Sequence, residues 1–121
     1  MDTENRAMEA DKSRLTGTTR VIVVSGVPGG QTTGGPRSVE FAIAPIEGDQ
    51  PVYHQAIFVT SDAQGHYDVA LAPGTYWIGP KAKALDPVHY RPQAAVFAEK
   101  VAVVKAGEVT HIDLMETAYA P

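Results

Sequence analysis

Apolar and polar residues alternate in short runs along most of this chain. Val39 to Ile46 sets Val39, Phe41 and Ile43 on one face and Glu40, Ala42 and Ala44 on the other, the period of two of a half-buried strand. Phe41 is expected in the core. His66 to Ala72 repeats the pattern, with Tyr67, Val69 and Leu71 inward and His66, Asp68 and Ala70 outward. The same rule predicts strands over Val21 to Ser25, Val52 to Thr60, Thr75 to Gly79, Val96 to Lys105 and Val109 to Glu116, seven in all. In Thr75 to Gly79, Tyr76 and Ile78 share the core face and Trp77 lies out of phase with them. No helix of useful length fits the pattern.

Turn residues separate these runs. Ser25 to Pro36 (SGVPGGQTTGGP) reads as a long loop, and Ser61 to Gly65 as the turn of a hairpin, with Asp62 bonding back to the backbone and Gly65 taking positive φ. Pro73-Gly74 turns the chain again, and Lys105 to Glu108 forms a tight turn. Pro80 to Ala95, broken by Pro87 and Pro92, reads as a long crossover. Residues 1–19 carry four acids and three bases with almost no large apolar side chains, so they are expected to form a flexible polar tether. The expected domain then spans residues 20–117, with 118–121 as a tail.

Composition narrows the class. At 121 residues the chain holds one compact core, and 44% hydrophobic with 20% charged residues excludes collagen-like, coiled-coil and wholly disordered chains. Ten Lys and Arg against 14 Asp and Glu leave no basic excess for a phosphate backbone, so nucleic acid is not an expected partner. No apolar run approaches the roughly 20 residues of a membrane helix, so no transmembrane segment is expected. The absence of Cys removes disulfides, thiolate metal sites and a Cys nucleophile.

Two motifs carry a resemblance: Thr60-Ser61-Asp62-Ala63-Gln64-Gly65-His66-Tyr67-Asp68-Val69, and Leu71-Ala72-Pro73-Gly74-Thr75-Tyr76. Together with the late Val101-Ala102-Val103-Val104-Lys105-Ala106-Gly107 and the closing Ile112-Asp113-Leu114, they resemble the carboxypeptidase regulatory-like domain, a transthyretin-like sandwich. The resemblance implies an all-β, seven-stranded antiparallel Greek-key sandwich of a kind attached to exported peptidases, surface proteins and lipoproteins. An extracytoplasmic location is therefore expected. Every matched residue has a structural job, so the motifs imply no activity.

Candidate chemistry is sparse. Tyr53-His54, His66-Tyr67 and His89-Tyr90 invite comparison with intradiol dioxygenases, which hold ferric iron with two Tyr and two His on a related sandwich. The position two after His89 is Arg91, which cannot ligate iron, and neighbours on a strand point to opposite faces. The Tyr-Arg-Gly-Ser ending of hydroxyisourate hydrolases is absent. His66 with Asp68, and His111 with Asp113, place an imidazole and a carboxylate two apart on one strand face, where adjoining strands would bring four ligands to a divalent cation. No serine lies in a nucleophile elbow. Trp77 beside His89, Tyr90 and Arg91 offers an exposed aromatic with hydrogen-bonding neighbours, suited to a sugar or protein partner. The sequence thus points to a non-catalytic binding domain without a cofactor, contacting a protein or glycan at the cell surface. The alternative is a small metal-binding protein or metal-dependent enzyme using some of His54, His66, His89 and His111.

Overall fold

The structure, a computed structural model, describes residues 13–25, 33–92 and 95–120. It is an all-β sandwich of two sheets. The first holds β1 (Arg14–Ser25), β2 (Thr33–Pro36), β6 (His66–Ala70), β8 (Ala95–Phe97), β10 (Val109–His111) and β11 (Leu114–Ala120). The second holds β3 (Glu40–Glu47), β4 (Gln50–Pro51), β5 (Ile57–Thr60), β7 (Gly74–Pro80) and β9 (Lys100–Val104). A 3-10 turn (Tyr53–Gln55) and a one-turn helix, α1 (Lys81–Leu85), lie outside the sheets.

β1 organises the first sheet. Its lower half takes β6 antiparallel on one side and β10 parallel on the other, and its upper half takes β2 antiparallel and β11 parallel. The first sheet is therefore mixed, where uniformly antiparallel pairing was expected. Residues 14–19 belong to this strand, which corrects the expected tether of residues 1–19 at its C-terminal end. Residues 1–12 lie outside the described residues. The strand escaped notice because its inward positions are Leu15, Gly17 and Thr19, of which only Leu15 is a large apolar residue. Gly17 is required there: a Cβ would stand 1.9 Å from the Ile112 carbonyl oxygen, the group to which the Tyr67 hydroxyl donates. Thr19 is buried but satisfied, donating to the Arg37 carbonyl at 2.6 Å and lying 2.5 Å from the Ser61 hydroxyl, which also accepts the Val39 N–H at 2.8 Å.

Other boundaries also move. The expected strand Val52 to Thr60 divides: Val52 N–H still bonds to the Pro45 carbonyl in the register of β4, and the 3-10 turn, closed by Gln55 N–H to the Val52 carbonyl and Ala56 N–H to the Tyr53 carbonyl, then takes the chain off the sheet edge before β5. Val96 to Lys105 crosses from the first sheet to the second, giving β8 and β9, whereas Val109 to Glu116 keeps one direction and one register along β1 and is only interrupted at Ile112-Asp113, giving β10 and β11. Residues 118–120, expected in the tail, pair within β11 against β1. The Ser61 to Gly65 turn forms as expected: Asp62 Oδ1 accepts the N–H groups of Gln64 and His66, and Gly65 has φ of 82°. It does not close a hairpin, since β5 pairs with β3 and β6 with β1, so the turn carries the chain from one sheet to the other.

Two clusters of buried side chains result. The main core, between the sheets, includes Leu15, Phe41, Ile43, Tyr67, Ile78, Phe97, Val104 and Leu114. Phe41 is fully buried, with Tyr67 edge-on at 5.0 Å. Tyr76 packs against this core and its hydroxyl donates to the Ala72 carbonyl at 2.5 Å, fixing the Pro73-Gly74 corner. The second cluster comprises Ala42, Ala44, Trp77 and Ala84, on the outward face of the second sheet and beneath α1.

Candidate functional site

The second cluster begins with Trp77, which corrects the expectation of an exposed aromatic. Its side chain does lie out of phase with Ile78, but the crossover folds back as α1 and leaves it only 5% exposed. Ala42 and Ala44 on β3 keep the sheet low beneath the indole, and Gly79 leaves its path clear. A Cβ at residue 79 would lie 2.2 Å from Trp77 Cζ2. Tyr53, on the 3-10 turn, meets the indole edge-on at 5.1 Å.

Glu99 locks this layer. It accepts the Trp77 indole N–H at 2.7 Å and the Lys83 ammonium at 2.8 Å, tying β7, α1 and the segment between β8 and β9 to one carboxylate. Burial raises the Glu99 pKa, but the hydrogen bonds from Lys83 and Trp77 and the Lys83 charge outweigh it, so the net shift is downward. The Lys83 pKa rises, chiefly through the hydrogen bond to Glu99. Lys81 extends over the Phe58 ring at 5.0 Å and pairs with Glu40 at 3.2 Å.

Between the 3-10 turn, β5 and α1 runs an open groove of about 750 Å³. Its walls include Val52, Tyr53, Ala56, Phe58, Ala84 and Leu85, with Glu47, Gln50 and His54 as polar members. Phe58 is 43% and Leu85 64% exposed. Sequence reasoning missed this groove. The available signal was Ala56-Ile57-Phe58-Val59, an apolar run that gives a strand two sticky faces where an edge strand normally has one.

The other expected binding residues lie at the margin of the same layer. His89 contacts Asp86 at 3.1 Å and Tyr90 is half-buried. Exposed Arg91 donates to the Tyr90 carbonyl, and the three line a shallow depression beyond α1 with Asp86 and Ala82. They do not form a platform with Trp77, whose exposure the helix has removed.

The expected cation ligands are not brought together. β1 runs between β6 and β10, so His66 and Asp68 stand on one side of it and His111 and Asp113 on the other, roughly 10 Å apart at strand spacing. Asp68 pairs with Arg14 at 2.6 Å, while Asp113 accepts the Thr18 hydroxyl and pairs with His111, both at 2.8 Å. The Asp113 pKa is lowered, first by the Thr18 side-chain hydrogen bond. His54 lies on the groove wall, apart from all of these. Among the described residues, no three His, Asp or Glu side chains converge in a way that would hold a metal ion. No described helix is long and apolar enough to cross a membrane.

No protein family signature matches the chain, and no curated protein matches it. Among solved structures it is similar to the Bacillus anthracis TIE protein, with 19% identity and a TM-score of 0.43 over 86% of this chain and 18% of that one. A likeness at that level carries no argument about activity. The class defined by the fold and its surface is an all-β sandwich with an apolar groove on the outer face of one sheet.

Proposed function

We propose that this protein is a non-catalytic binding domain of an exported or lipid-anchored bacterial protein, akin to the carboxypeptidase regulatory-like sandwiches, which holds a surface partner in the groove beside α1. The observation that carries the proposal is the exposure of Phe58 and Leu85 on facing elements of one groove. Apolar side chains gathered in a concavity, with a polar rim, are the usual anatomy of a contact surface, whereas scattered ones are not. The turn from Ser61 to Gly65 and the Tyr76 corner support the kinship, since both motif segments take up structural roles. The contacts of Asp68 with Arg14 and of Asp113 with His111, on either side of β1, are read as surface ion pairs.

The neutral apolar dye Nile red provides the test. It should fluoresce with the folded chain and lose that signal in Phe58→Ser and Leu85→Ser, while their melting curves stay close to the parent's. Unchanged dye binding in both variants would remove the groove as the contact surface. Turnover of chromogenic ester, amide or glycoside substrates that disappears in His54→Ala or His111→Ala would overturn the non-catalytic assignment. Fractionation of cells producing the natural protein checks the location, and a cytoplasmic pool alone would refute export.

A further inference from the structure

We infer that the groove takes an extended apolar segment of a protein partner, with a lysine or arginine at the end that lies against Glu47 and Asp49; this rests on the groove being the binding surface proposed above. A sugar is the poorer fit. Sugar platforms offer an open aromatic face, but Lys81 already covers the Phe58 ring, Tyr53 is turned edge-on to Trp77, and Trp77 is buried. The walls are mostly apolar, so a sugar's hydroxyl groups would lose water with few replacements beyond Gln50 and His54. Aliphatic or proline side chains have no such need. Ile57, 42% exposed beside Phe58, and Val88, 78% exposed after α1, extend the apolar surface past the groove itself.

Charge sets the direction of the segment. Glu47 ends β3 and Asp49 follows at the Gly48 turn. Both are exposed, and neither has a basic partner among the described residues. The lysines nearest the groove are committed elsewhere, Lys81 to Glu40 and Lys83 to Glu99. A cation on the partner therefore meets two unneutralised carboxylates at that end, and an anion there is repelled.

Trp77 is the only tryptophan and touches Tyr53 on the groove wall, so its fluorescence reports occupancy. Two synthetic peptides, acetyl-Leu-Pro-Leu-Val-Lys-amide and its counterpart ending in Glu, are titrated into the full chain at low salt. The lysine peptide should bind at least about tenfold more tightly, Glu47→Lys should reverse the order, and Phe58→Ser should abolish both. Leu85→Ser serves as the second groove variant if Phe58→Ser folds poorly. Equal affinity for the two peptides, still lost in the groove variants, overturns the charge assignment and leaves the groove a binding surface. Absence of peptide binding overturns the inference. If chitotetraose then binds and the groove variants abolish it, the groove stands with a sugar as its occupant; if the variants change nothing for any probe, the groove falls as well.

Discussion

At the scale of single residues, the most consequential side chain is Trp77, because its burial turns a supposed contact residue into the foundation of the groove. Its indole fills the space between β3, the 3-10 turn and α1, so Trp77→Ala should cost about 3–5 kcal/mol, measured by urea denaturation. Gly79→Ala forces the indole to move and should cost roughly 1–3 kcal/mol through overpacking. If Trp77→Ala leaves the denaturation midpoint unchanged, the second cluster is not a core. Tyr76 tests the other face of the same strand. Its hydroxyl holds the Ala72 carbonyl, so Tyr76→Phe should lower stability by about 1 kcal/mol. A Phe variant as stable as the parent would show that ring packing alone makes the corner.

At the scale of elements, α1 is a single turn with no side-chain cap, too short to persist alone. What holds it is tertiary: Ala84 packs on Trp77, and Lys83 reaches Glu99. Because the folded-state pKa of Glu99 is depressed, its contribution is complete above the ordinary value of 4.5 and is lost as pH falls through the lower folded value. Lys83 behaves inversely: its raised pKa gives a contribution present below 10.5 and lost as pH climbs through the higher folded value. Glu99→Gln should therefore destabilise the protein at neutral pH, and the gap from the parent should narrow in strong acid. Parallel curves across the acid range would show that the carboxylate's charge is unimportant. These elements also mark what the sequence could reveal. The turn at Ser61 to Gly65 and the Tyr76 corner were legible because each follows from residues a few positions apart. The pairing of β6 with β1, and the helix over Trp77, were not, since they depend on partners far along the chain. The inward phase of Trp77's neighbours was legible; whether anything covered its own side was a tertiary question.

At the scale of the whole molecule, stability depends on β1, the strand whose polar first half disguised it. β6 and β10 both pair with residues 14–18, and β2 and β11 both pair with residues 19–25, so four strands of the first sheet rest on this one segment. Leu15 is fully buried in the main core, and Ser13 accepts the Gly107 N–H that fixes the turn after β9. Removing residues 1–18 would strip β6 and β10 of their common partner, leaving two new edges and a hole where Leu15 packs. The shortened chain should lose cooperative unfolding at ambient temperature, seen as the absence of a sigmoidal urea transition and of dispersed amide resonances. Leu15→Ala separates the two causes, since it keeps every backbone pair and removes only the packing, at an expected cost of about 2–5 kcal/mol. A truncated chain that melts like the parent would return residues 14–18 to the role of a tether, and with them the boundary at residue 20. A folded Leu15→Ala beside an unfolded truncation would instead assign the larger share to the backbone pairing that β1 provides on both of its edges.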